Sequence, residues 1–187
     1  MTEAATVRYQ IDGKESKFTV RAFATGLLSA LGHNPTIAIQ TFEGEAMVNP
    51  SAIEQSSLRI VIQAASLVVT DDINDKDRSE IERRMHTEVL ESDGYPEIVY
   101  ECSKLTASNT GAGQYWVALN GELSMHGVTR NQPVSARVTL NGDTLRAAGE
   151  FSVRQSDYEI KAVSAAGGTV RLKDELKFSF DIAAHKG

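Results

Sequence analysis

Histidine, cysteine, serine and paired carboxylates are the side chains with which this chain could do chemistry, and their spacing along 187 residues argues against most of it. The four histidines, His33, His86, His126 and His185, do not form the short ligand repeats of a zinc site, and Cys102 has no second cysteine to join it. An acyl-transfer enzyme needs a nucleophile held against a base, and no Gly-x-Ser-x-Gly turn occurs. Asp71-Asp72 and Asp174-Glu175 fall at element ends, where cap and turn duty accounts for them. Gly111-Ala112-Gly113 and Gly167-Gly168 lack the strand-to-helix context in which backbone amides cradle a phosphate. His33 stands apart. In Leu31-Gly32-His33-Asn34-Pro35 it follows an apolar piece, where it suits a hydrogen bond to a ligand's polar head or, in the alternative reading, a place in the barrel-mouth pocket of a small-molecule isomerase or hydrolase. His126 is expected to organise a turn, His86 and His185 to be solvated, and Cys102 to be a small buried hydrophobe on a strand. No catalytic residue, metal or cofactor is expected.

The elements that must position these residues are mostly strands. Period-two alternation sets Val117, Leu119, Leu123 and Met125 against Ala118, Asn120, Glu122 and Ser124. The same pattern continues in Val134 to Leu140, in Leu145 to Val153 and in Leu176 to Ile182, with an Asn-Gly hairpin turn expected in Asn141-Gly142-Asp143. Earlier, Phe18-Val20-Ala22, Leu58-Ile60-Ile62 and Ile98-Tyr100-Cys102 alternate likewise. One helix, near 72–92, is predicted from Ile81, Met85, Val89 and Leu90, with Asp72, Asn74 and Asp75 as cap residues and Gly94 and Pro96 as its stop. Phe23 to Leu31 reads as a helical turn or an apolar loop at a barrel mouth, Asn109 to Gly113 as a flexible loop, and Gln155 to Gly168 as a long connection. The fold class is therefore all-β: an antiparallel barrel of about eight strands with one inserted helix, in a single domain over 1–187.

Bulk properties narrow the partners. With 19 basic and 25 acidic residues the net charge is −6, and no basic run offers itself to a phosphate backbone, so nucleic acid is excluded. No apolar stretch reaches the roughly 18 to 20 residues of a membrane-spanning helix. The amino terminus, Met1 to Thr6, has neither the basic start nor the apolar run of a secretory signal, and a cytoplasmic location is the expectation.

Gly121-Glu122-Leu123-Ser124-Met125-His126-Gly127-Val128-Thr129, followed by Pro133-Val134, resembles the G-x-L-x-x-H-G-V-T-x-x-x-x-V strand pair of the YceI-like proteins, whose barrel is lipocalin-like. Tyr9 to Asp12, Phe18 to Arg21, Tyr95-Pro96, Ser156-Asp157-Tyr158 and Lys173 to Leu176 are similar to further parts of that family in the same order. Glu159 stands where the family usually has glycine, Gln155 where arginine or asparagine is common, and the helix is longer.

The resemblance implies a barrel that takes up a polyprenyl lipid or isoprenoid quinone, tail inside and head near the mouth, without catalysis. The expected ligand-binding residues are Phe18, Val20, Ala22, Leu28, Leu31, His33, Ile60, Ile62, Tyr100, Leu119, Leu123, Phe151, Phe178 and Phe180. Ala136, Ala147 and Gly149 on the apolar parity leave space for a guest. A homodimer and a structural protein with a filled barrel are the other possibilities carried forward.

Overall fold

In the computed structural model, which describes residues 5–25, 34–165 and 170–187, one-sided strands pair antiparallel from start to end. In chain order they are β1 (Val7–Ile11), β2 (Lys17–Arg21), β3 (Ala24–Thr25), β4 (Thr36–Ile39), β5 (Phe42–Val48), β6 (Ser57–Gln63), β7 (Leu67–Val69), β8 (Glu97–Cys102), β9 (Leu105–Gly111), β10 (Gln114–Met125), β11 (Val128–Asn141), β12 (Thr144–Arg154), β13 (Ser164–Ala165), β14 (Val170–Leu172) and β15 (Glu175–Lys186). Twelve of them assemble into eight staves, and β13, β14 and β3 pair as a separate three-stranded sheet. β1 with β2, β4 with β5, β6 with β7 and β8 with β9 are each a single stave interrupted by a bend, while β10, β11, β12 and β15 run unbroken. Each stave pairs with the next in sequence, and β15 returns to both β1 and β2, closing an up-and-down barrel. Closure removes most of the sheet edge that would otherwise need covering; β7 keeps one side without a strand.

The bends have identifiable geometry. Between the pairs Ile11↔Ala184 and Lys17↔Asp181 one strand advances six residues while its partner advances three, so the segment between β1 and β2 bulges out. The tight turns obey their residues. His126 (φ 54°) and Gly127 (φ 75°) make a two-residue loop with both centres left-handed, the I′ pattern that matches strand twist. The later hairpin departs from the expected Asn-Gly turn by one residue: Asn141 pairs with Thr144, and Gly142 (φ 60°) with Asp143 forms the loop, the II′ pattern with glycine first. The expected loop at Asn109 to Gly113 is instead the end of β9 with a turn at Ala112-Gly113.

Helix α1 (Asp75–Arg84) starts at Asn74, whose side chain accepts from the Asp77 amide at 2.9 Å. A π-helical turn, Met85–Val89, follows, with the Leu90 amide reaching back to the Met85 carbonyl. Of the expected apolar stripe, Met85 and Leu90 are buried and Val89 packs with them, whereas Ile81 is exposed. The helix lies at the end of the barrel that carries the longer connections, here the helix end. The opposite, hairpin end carries the tight turns at 112–113 and 142–143. No helix among the described residues is long and apolar enough to cross a membrane.

Two hydrophobic clusters occupy the interior. The larger, at the helix end, includes Met85, Leu90, Met125, Val153, Tyr158 and Ile160; the smaller, at the hairpin end, is built on Tyr9, Val48, Leu145 and Ala184. Between them the inward positions Ile60, Tyr100, Leu119, Ala147 and Phe180 remain only partly buried.

Candidate functional site: an apolar cavity along the barrel axis

Inward side chains that stay partly exposed must face a space, and that space is a cavity of about 150 Å³ inside the barrel. On β10 it is lined from Tyr115 to Leu123, eight residues apart. That separation is about 26 Å along a strand, or roughly 20 Å along the axis at the usual tilt of about 40°. Its hairpin end is walled by Val48, Ile53, Leu140 and Leu145, its waist by Ile60, Ala136 and Ala147, and its helix end by Ile62, Ile98 and three phenylalanines. Ala136 and Ala147 at the waist are small, which leaves room inside a barrel of eight strands.

Aromatic packing defines the deeper part. Phe151 and Phe178, partners across β12 and β15, stack with centroids 5.1 Å apart and planes within 9°. Phe18 meets Phe42 edge-on at 4.7 Å and Phe180 at 6.5 Å. Two glycines make room for such rings. A methyl group at Gly121 would lie 2.5 Å from the Tyr100 ring, and one at Gly149 would lie 2.8 Å from Phe180. The Tyr100 hydroxyl donates to the Gln132 carbonyl at 2.9 Å, and burial pushes its ionisation well above the ordinary range for a phenol. Tyr100 therefore presents its ring, with its polar atom already satisfied.

The polar side-chain groups at the described walls are the hydroxyls of Ser56, Ser57, Ser179, Tyr100 and Tyr115; none of the lining residues is a carboxylate, an amine, a histidine or a thiol. Such an apolar surface suits hydrocarbon. Cys102 is buried, its thiol donates to the Lys104 carbonyl, and desolvation raises its pKa. Among the described residues, Asp12, Glu15 and His185 have donor atoms within 4.8 Å of one another and could hold a cation. They lie on the outside of the barrel, and Asp12 already accepts from the Lys14 and Glu15 amides. His185 is exposed, as expected.

Polar side chains lock the helix end. β7 has no strand on its far side, since β8 pairs only with β6 and β10. The helix supplies the missing partners: Arg78 donates to the Val69, Asp71 and Ile73 carbonyls, and Glu82 accepts from the Val69 amide at 2.9 Å. His86 belongs to the same strap and is not solvated. Its Nε2 lies 3.0 Å from the Leu67 carbonyl and its Nδ1 3.0 Å from Ser92 Oγ. His126 does organise its turn, with Nδ1 3.1 Å from the Tyr158 carbonyl, Nε2 2.6 Å from Glu91 and its ring 4.4 Å from that of Tyr95. Ser156 and Gln155 bind Asp174 and the Lys173 carbonyl. The turn of the sequence signature, Met125 to Thr129, thus closes one end of the barrel, while its Leu123 and Val134 reach the cavity wall.

Of the residues singled out from sequence, Phe18, Ile60, Ile62, Tyr100, Leu119, Leu123, Phe151, Phe178 and Phe180 line the cavity together. Val20 and Ala22 are buried away from it, beyond Phe18 toward the helix end. Leu28, Leu31 and His33 lie outside the described residues. Tyr115, Val138, Leu140 and Leu105 were missed, although the first three continue parities already visible in their strands.

The YceI-like domain model matches residues 9–184 of this chain. Among solved structures, BcnA of Burkholderia cenocepacia is similar at a TM-score of 0.69 and 19% identity, over 92% of this chain and 98% of that one. A polyisoprenoid binding domain from Saccharophagus degradans, implicated in plant cell wall breakdown, gives 0.67 and 12% over 97% and 99%. The YCEI protein of Campylobacter jejuni gives 0.59 and 13% over 81% and 84%. At these identities the likeness establishes the fold. No curated protein matches the chain.

Proposed function

Because the chain belongs to the YceI-like family, we propose that it binds an isoprenoid lipid, a polyprenyl chain or an isoprenoid quinone, with the tail in the barrel and the head at the hairpin end, and performs no catalysis on it. One observation carries this reading: an apolar space along the axis, bounded by inward residues that stay partly exposed although the barrel around them is closed. A cavity of about this volume lined by Leu, Ile and Phe stays dry and accepts hydrocarbon. Each CH₂ moved into it from water contributes roughly 0.8 kcal/mol, less the ordering of the chain. The Saccharophagus degradans relative, a polyisoprenoid binding domain, supports the same ligand class. Solvent extraction of protein purified without detergent, followed by mass spectrometry, tests the proposal and separates quinone from polyprenol. A stoichiometric isoprenoid is expected. Extracts that are consistently empty, from protein whose melting temperature does not move with added long-chain quinone, contradict it.

A further inference from the structure

On five of the eight staves the end of the cavity can be read from consecutive inward residues. Phe18, Ile62, Leu123, Phe151 and Phe178 line it. The next inward residues toward the helix, Val20, Ala64, Met125, Val153 and Leu176, do not. All but Leu176 are at most 3% exposed, and Leu176 packs against the same cluster. Behind them the strap of Arg78, Glu82 and His86 holds the helix to β7, so the layer has rigid support. The layer itself is uneven. Opposite the aliphatic Ile62, Ile98 and Leu123 stand the stacked rings of Phe151 and Phe178, with Phe18 wedged against Phe42. Stacked rings with their neighbours packed behind cannot swing aside without opening the larger core.

We propose that Phe18, Phe151 and Phe178 form a stop that sets how many isoprene units the barrel accepts, so that the protein selects its ligand by tail length. The inference rests on the binding reading above and adds its specificity determinant. A tail entering from the hairpin end passes the small residues of the waist, Ala136 and Ala147, and meets the rings about 20 Å in. Units beyond that point stay in water and add no affinity. Truncating one ring frees about as much space as one isoprene unit needs.

Displacement of N-phenyl-1-naphthylamine by geraniol, farnesol, geranylgeraniol and geranylfarnesol, on the whole chain and on F151A and F178A, tests this, with F151L as the milder variant should a truncation fail to fold. Affinity in the parent protein is expected to climb with each unit and then level. In the variants the plateau moves one unit longer, and the alcohol at the new plateau gains roughly tenfold. A plateau at the same length in every variant, or a parent protein whose affinity climbs without levelling, overturns the stop while leaving the binding reading intact. If the parent protein binds none of the four alcohols, both fall together.

Discussion

At the helix end Met125, Val153, Tyr158 and Ile160 are each under 5% exposed and touch a helix, a π turn and a latch of side-chain hydrogen bonds. Farther along the same strands Leu119, Ala147 and Phe180, just as inward in their parity, remain half-buried around open volume. Identical alternation thus yields a packed core in one half and a lumen in the other. What differs is what the connections bring. Helix-end connections insert many apolar side chains among the strand ends, whereas at the other end the two-residue turns at Ala112-Gly113 and Gly142-Asp143 bring none and the connection from β5 to β6 brings Ile53. A guest in the lumen would complete the second half as the helix completes the first.

The sharpest way to break this comparison is paired truncation. Ile160→Ala at the helix end should cost about 2 to 5 kcal/mol in urea unfolding, the range for large-to-small changes in a packed core. Leu119→Ala, whose side chain already faces a cavity, should cost about 1 kcal/mol or less in the ligand-free protein. Equal costs would mean that the lumen is packed in solution. Arg78→Ala should lower stability by about 1 to 3 kcal/mol by stripping donors from the Val69, Asp71 and Ile73 carbonyls. Hydrogen exchange should then quicken at β7 before β10; a uniform change would show that the strap is not local.

Smaller effects sharpen the picture. Glu159 holds a left-handed φ of 58° after the turn at 155–158, so Glu159→Gly should raise the melting midpoint by the equivalent of up to about 1 kcal/mol. A loss would mean that its side chain has a contact worth more than the backbone strain. Least of all, hydrogen bonds from Arg83 and Arg84 lower the Glu80 pKa from 4.5 to about 2. The depressed value makes its contribution to helix stability full above pH 4.5 and lost as pH falls toward 2, a small effect at so exposed a site. A carboxyl NMR titration with a midpoint near the ordinary value would remove the pair from the account.

The barrel was legible where strands are long and one-sided. β10, β11, β12 and β15 show their inward faces directly, and most of the cavity wall comes from them. β9 was hidden because Thr106, Ser108, Asn109 and Thr110 are polar on both parities; pairing with β10 makes it a strand, not its own pattern. The II′ turn was misplaced because Asn-Gly and Gly-Asp overlap in one tripeptide. His86 shares a face with Arg78 and Glu82 at spacings of four, and because that face is polar it read as solvated; that β7 runs beside it is a tertiary fact. For the site, parity could say which residues face inward. It could not say which inward residues are covered by the helix, because that depends on connections far apart in sequence.

The central claim, that hydrocarbon occupies the lumen and not the packed half, is tested most directly by methyl NMR during titration with farnesol. The methyl signals of Ile60, Leu119 and Leu145 should shift saturably while those of Leu67, Leu90 and Ile160 stay in place. Signals that all remain still, or that move only at the helix end, would contradict it.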